Sequence, residues 1–265
     1  MLDWWASCPT TFRRKFLFRG NHEKHISQIS ENSISTLKTW LETTLVVFLT
    51  ILSACGDDNN PSNQSSEPTV VAGNFIDFRD NKTYRTITIG SQTWMAENLN
   101  YNAANSFCYD DDPTNCSKYG RLYLWSAAMD SIGSLNGCGY NVLCSPVYPV
   151  QGVCASGWHL PTKDEFETLI NVVGGKFTAG RMLKSTRGWF DNGNGTDVYF
   201  FAALPAGYRN NGGNYNFAGD STYFWSSTEA GSKDAYYMSL NYNDDGVGLY
   251  SMYRYRALSV RCVKN

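Results

Sequence analysis

Histidine is scarce. The chain has three in 265 residues, and beyond residue 54 only His159 remains. One domain histidine gives no clear Ser–His or Cys–His base pair for nucleophilic catalysis. Cys-x-x-Cys does not occur either, so the ligand spacings of a zinc site are missing. The apolar run at residues 41–54 is too short to cross a bilayer. Basic residues are not in excess, with 22 Lys+Arg against 24 Asp+Glu. The chain therefore lacks the electrostatic footprint of a nucleic-acid binder. Tyrosine is absent from the first part: all 17 fall between Tyr84 and Tyr255. That asymmetry separates a leading segment from one domain of roughly 190 residues, large enough for a real core.

Cysteine, by contrast, is plentiful, with eight residues, seven of them from Cys55 onward. Setting Cys55 aside, the domain holds Cys108, Cys116, Cys138, Cys144, Cys154 and Cys262. An even number suits an exported protein with disulfides. Six cysteines allow fifteen pairings. The favoured set is Cys108–Cys116, Cys138–Cys144 and Cys154–Cys262, because the first two close short loops. The third closes a loop of about 100 residues, nominally worth about 4–5 kcal/mol by chain entropy.

Residues 41–54 fit the h-region of a signal peptide, with Lys38 ahead and small residues at the end. Leu52-Ser53-Ala54-Cys55 closely resembles a bacterial lipobox. That resemblance implies cleavage before Cys55 and attachment of lipid to it, hence a membrane anchor. Residues 1–54 then form an extended signal region outside the fold. Residues 55–73 are the lipidated cysteine and a disordered tether, too rich in Asp, Asn, Ser and Pro to pack a core. No methionine lies between Met1 and Met95. Either translation starts near Leu37 at a non-AUG codon, or the n-region is unusually long.

The domain, residues 74–265, is organised around one helix. Thr162 is an N-cap with Glu165 three residues on, a capping box. Asp164 and Glu165 complement the helix dipole. Phe166, Leu169, Ile170 and Val173 form one apolar stripe, and Gly174-Gly175 stops the helix. This helix is expected to dock on a C-terminal β-sheet. Upstream, residues 75–80 and 83–89 read as paired strands, with a third at residues 92–95. Residues 120–129 read as a helix, residues 177–184 as a second short one, and residues 199–204 as a strand. Strands follow at residues 222–227 and 235–242, the latter with Tyr236, Met238, Leu240 and Tyr242 on one face. Asn243-Asp244-Asp245-Gly246 is a hairpin turn. Residues 247–256 return, and residues 257–263 close the sheet. Asp110-Asp111-Asp112 reads as a solvated turn. The Gly- and Asp-rich stretch at 188–197 invites calcium only weakly, since the spacing of a helix–loop–helix site is absent.

Six segments together carry a resemblance. They are Gln92-Thr93-Trp94-Met95-Ala96-Glu97-Asn98-Leu99-Asn100, Gly120-Arg121-Leu122-Tyr123, Gly157-Trp158-His159-Leu160-Pro161-Thr162, Ala203-Leu204-Pro205-Ala206-Gly207-Tyr208-Arg209, Trp225-Ser226-Ser227-Thr228 and Ser259-Val260-Arg261-Cys262-Val263-Lys264. They resemble the Fibrobacter succinogenes major paralogous domain over about residues 74–264. That resemblance implies an exported, often lipidated protein. Residues 159–166 are also similar to the Leu-Pro-Thr motif of formylglycine-generating enzymes, as is the ending Val260-Arg261-Cys262-Val263. The distant likeness implies an α+β, C-type lectin-like fold of antiparallel sheets with two or three helices. In that fold a cysteine near a helix bonds to one in the last strand, matching Cys154 and Cys262.

Formylglycine-generating enzymes use a free cysteine pair with copper, whereas the last 100 residues here hold only Cys262. Asp197 and Glu229 can be nominated as glycosidase carboxylates, but so can any two acids. No catalytic residue, metal site or cofactor is assigned. The expectation is a non-catalytic binding domain on an outer-membrane lipoprotein, with a polysaccharide or a surface protein as partner. Its ligand surface would draw on Tyr208, Asn210, Asn211, Asn214, Tyr215, Trp225, Tyr242, Asn243, Asp244 and Asp245, aromatic faces beside amides and carboxylates. The alternatives are a structural envelope protein without a small ligand and a formylglycine-type oxidase.

Overall fold

The computed structural model describes residues 70–130 and 138–265. The signal region, the lipobox with Cys55, and the tether up to residue 69 lie outside the described residues. The described chain is α+β, built mostly of sheet with a few short helices.

The first sheet joins the two ends of the domain. Strands β1 (Val70–Asp77), β2 (Lys82–Ile89) and β3 (Gln92–Met95) form an antiparallel meander. Asn81 and Gly90 take positive φ at its two turns, where short polar or absent side chains are tolerated. The last strand, β13 (Val263–Lys264), inserts beside β3 and also pairs β6 (Trp158–His159). The strand order is therefore β1-β2-β3-β13-β6.

The second sheet has eight strands. It contains β4 (Ser106–Phe107), β5 (Leu122–Leu124), β7 (Ala206–Arg209), β8 (Tyr215–Ala218), β9 (Ser221–Glu229), β10 (Asp234–Asn241), β11 (Gly248–Tyr253) and β12 (Ala257–Ser259). Its order is β11-β10-β9-β7-β12-β5-β4, with β8 on β7. Helices α1 (Pro113–Tyr119), α2 (Trp125–Met129), α3 (Lys163–Val172) and α4 (Ala179–Leu183) complete the domain.

The organising helix is α3. The Thr162 hydroxyl accepts from the Glu165 N–H at 3.2 Å, and Glu165 accepts from the Thr162 N–H at 2.8 Å, completing the capping box. Phe166, Leu169, Ile170 and Val173 are buried. They pack with Phe224, Met238 and Leu240 of the late strands and with Ile87, Ile89 and Trp94 of the first sheet. The Phe166 and Trp94 rings stack with centroids 5.4 Å apart. Burying Phe166 stabilises the fold by roughly 1.5–3 kcal/mol. The helix thus ties both sheets together, more than docking on the late strands alone. A second cluster gathers Met95, Tyr123, Trp125, Trp158 and Trp225 around the Cys154–Cys262 bond. All three disulfides are paired as expected: Cys108–Cys116, Cys138–Cys144 and Cys154–Cys262.

Three expectations need correction. The helix expected over residues 120–129 begins only at Trp125, because Leu122–Leu124 pairs with Ala257–Ser259 as β5. Residues 199–204 are not a strand. Phe200 and Ala202 take positive φ, and only Ala203 bridges, to Lys184. The alternation expected of Tyr236, Met238, Leu240 and Tyr242 is present: Met238, Leu240 and Tyr242 pack with the α3 cluster and Tyr236 lies beside Lys163, while Ala235 and Tyr237 pack with the Trp125 cluster on the other face. The register shift in that pairing lies in β9, where Trp225 to Glu229 stands opposite only Ala235 to Tyr237. Finally, residues 257–263 are two strands in different sheets, β12 and β13, rather than one closing strand.

His159 clasps this assembly. Its Nε2 lies 2.7 Å from Glu165 Oε1, and its Nδ1 lies 2.7 Å from Asn265 Oδ1. Burial pushes the His159 pKa down, but the bonds to Glu165 and Asn265 outweigh it and the net shift is up. Burial pushes Glu165 up, yet His159 and the Thr162 N–H bring it below its ordinary value. The histidine's contribution to stability is full below its unfolded pKa of 6.5 and fades as pH rises through the higher folded value. The Glu165 contribution is present above 4.5 and fades as pH falls through its lowered folded value. The pair therefore stabilises most between about pH 4.5 and 6.5. His159→Gln is expected to lower the melting temperature most at pH 5–6 and least at pH 8–9. A decrement constant across that range would mean that the charge of the pair contributes nothing.

Candidate functional site

The residues expected to form one ligand surface fall into two groups and a core residue. The first group sits on the β7–β8 hairpin. The Asn210 N–H donates to the Asn214 carbonyl, and the Asn214 N–H donates to the Asn210 side-chain oxygen, each at 2.9 Å. These two residues therefore build their own turn, while Asn211 is exposed beside them. The Tyr215 hydroxyl donates to Asp111 Oδ1 at 2.5 Å. Burial first, and then Asp111, push its pKa up to about 12. Tyr208 packs edge-on to Tyr223 with centroids 5.4 Å apart, and the Arg256 guanidinium lies 4.9 Å from its ring centre. The acidic tip is also committed. Asp112 caps α1 by accepting from the Thr114 N–H at 2.8 Å.

The second group, Tyr242, Asn243, Asp244 and Asp245, lies between β10 and β11. Asp244 Oδ1 accepts from the Gly246 N–H at 2.7 Å, and Asn241 Oδ1 accepts from the Asn243 N–H at 3.2 Å. Beneath this turn lies Lys184, which is almost fully buried. Its ammonium donates to the carbonyls of Asn241 and Asp244 at 3.0 Å each. Burial lowers its pKa, and Asp245 and Asp244 only partly oppose that. Carbonyls that a loop cation would use are thus taken by a lysine. Among the described residues, no group of three or more His, Cys, Asp or Glu is placed to hold a metal ion.

The two groups do not share a surface. Strand β7 runs parallel to β9, whereas β10 runs antiparallel to β9. The loops that follow β7 and β10 therefore leave the sheet at opposite ends. Trp225 belongs to neither group. It is fully buried, and its indole N–H donates to the Tyr123 carbonyl at 2.9 Å. Its neighbours in sequence alternate across a strand packed on both faces, so its ring faces the core. The nominated carboxylates Asp197 and Glu229 are held in separate networks. Glu229 pairs with Arg254 at 3.1 Å, and Asp197 accepts from the Ala202 N–H at 2.7 Å.

A feature absent from the sequence reading is a cavity of about 550 Å³. Strand β2, the turn after β3, α1 and residues 185–204 surround it. Its lining includes Arg261, only 1% exposed. Arg261 donates to the Phe201 carbonyl and to the Asn98 side chain, and its guanidinium lies 4.4 Å from the Phe201 ring centre. Burial pulls its pKa down to about 9, a fall that Asp197 and Glu97 only partly offset. Burial pushes Asp197 up despite its bond from Ala202 and the nearby Arg261 and Arg85. The available signal was Arg261 itself, a cation inside the apolar run Val260-Arg261-Cys262-Val263.

Fold and sites together define an α+β domain stapled by three disulfides, with buried guanidinium groups and no free thiol among the described residues. A family model, the Fibrobacter succinogenes major domain, matches residues 87–264. The chain belongs to that family. No curated protein and no solved structure matches it.

Proposed function

We propose that the chain is a lipid-anchored, exported cell-envelope protein whose domain has a C-type lectin-like fold and binds a polysaccharide or a surface protein without catalysis. The anchor is Cys55, in a lipobox-like setting. Three disulfides suit an oxidising compartment outside the cytoplasm. The lectin-like reading is supported by the pairing of the first strands with the last and by the Cys154–Cys262 bond beside α3. The observation that carries binding is the β7–β8 end of the sheet. There the half-buried Tyr208 and Tyr215 stand beside the exposed amides of Asn211 and Asn214. Aromatic faces next to amides suit sugars. The bonded state of Cys262 weighs against a formylglycine-type oxidase, which needs free thiols. A structural role without a small ligand is the second reading. It is favoured by the turn that Asn210 and Asn214 make with each other.

The test is a glycan array, run with and without calcium. Binding is expected in the wild type, with a loss of tenfold or more in an Asn211→Ala/Tyr215→Ala variant of unchanged melting temperature. No binding to plant, bacterial or host glycans would favour the structural role.

A further inference from the structure

We propose that the cavity above Arg261 is a second binding site, for a carboxylated sugar: a uronic acid, free or at the end of a polysaccharide. This inference does not rest on the β7–β8 surface.

The cavity lies within the size range of small-molecule sites. Its charge is unbalanced. Lys82 is neutralised by Asp80 at 3.0 Å and Arg85 by Glu97 at 2.9 Å. Arg187 and Lys118, which also line it, have no carboxylate within ion-pair distance among the described residues. Arg261 closes the inner side. Its bonds go to a carbonyl and an amide, and its Nε is buried without a partner. A cavity lined by two cations without a carboxylate partner and by a buried guanidinium that Asp197 and Glu97 only partly offset, in a chain of net charge −2, favours an anion. Asp197 sets the charge of that anion. It is half-buried in the same cavity and makes no ion pair among the described residues, so it disfavours a dianion more than a monoanion. The remaining lining includes Thr83, Asn100 and Thr186, side chains that exchange hydrogen bonds with hydroxyl groups. One carboxylate on a body rich in hydroxyls meets both demands. Guanidinium groups bind carboxylates through paired N–H donors.

The experiment measures binding to the full chain by calorimetry. The probes are galacturonate, galactose, inorganic phosphate and trigalacturonate. Galacturonate is expected to bind at least tenfold more tightly than galactose, with affinity falling as salt rises. An Arg187→Gln/Lys118→Gln variant is expected to lose that advantage while keeping its melting temperature, since both side chains lie at the protein surface. The Asn211→Ala/Tyr215→Ala variant is expected to bind galacturonate like the wild type, which separates this site from the β7–β8 surface. Tighter binding of trigalacturonate than of the monomer identifies a polysaccharide end as the source, and equal binding identifies the free acid. The proposal is overturned if galacturonate and galactose bind equally or not at all. It is also overturned if the Arg187/Lys118 variant keeps full affinity, or if phosphate binds as tightly as galacturonate.

Discussion

Replacing Cys154 and Cys262 together by alanine is expected to lower stability by about 4–5 kcal/mol, a fall in melting temperature of roughly 10–20 °C. The two residues are 108 positions apart, and both sulfurs lie in the core cluster that holds Trp125, Trp158 and Trp225. The bond excludes extended unfolded conformations in which the middle of the chain leaves its end. Chain entropy ranks the disulfides by loop length. Removing Cys108–Cys116, separated by 8, is expected to cost only about 2.5 kcal/mol. Thermal denaturation of the two double variants in oxidising buffer tests that ranking. Equal losses would show that local packing, and not the long loop, governs the effect.

The second large effect is expected at Arg254, 2% exposed. Its guanidinium pairs with Glu229 at 3.1 Å and donates to the carbonyls of Asp234, Val142 and Gly231 at 3.1, 2.7 and 2.6 Å. It also lies 4.0 Å from the Trp125 ring centre. Truncation to alanine leaves a largely buried carboxylate and several carbonyls without their donor. Arg254→Ala is expected to lose about 3–5 kcal/mol in urea denaturation. Arg254→Lys is expected to recover less than half of that, because an ammonium cannot span the planar fork. A loss below about 1 kcal/mol for the alanine variant would mean that water replaces the guanidinium, and that the site is far wetter than its burial implies.

The parts of this fold that were legible in the sequence are those fixed by neighbours along the chain. The capping box of Thr162 and Glu165 and the stripe from Phe166 to Val173 act within three turns of helix, so local spacing suffices. The first hairpin has turn residues at Asp80-Asn81-Lys82, and the structure turns there. The misread segments were decided by distant partners. Leu122-Tyr123-Leu124 suits a helix or a strand, and β12, more than 130 residues later, selects the strand. At residues 199–204 the side chain of Asp197 holds the Ala202 N–H and folds the backbone away from a ladder. The ligand surface was misjudged for a related reason. Loop composition identified suitable residues, but only the direction of β7 relative to β10 places them at opposite ends. The buried cations Lys184 and Arg254 left no mark in composition because their partners, carbonyls, a ring and the Glu229 carboxylate, come from remote segments, whereas Arg261 left only its place in an apolar run.

The fold depends most on the covalent link between the middle of the domain and Cys262, next to its last strand. Peptide mapping of the unreduced, thiol-blocked protein by mass spectrometry addresses that link directly. The predicted result is a peptide pair joined through Cys154 and Cys262, with neither residue carrying the blocking group. A blocked thiol at either position, or a bond from either to one of the other four domain cysteines, would contradict the tie between the middle of the domain and its end.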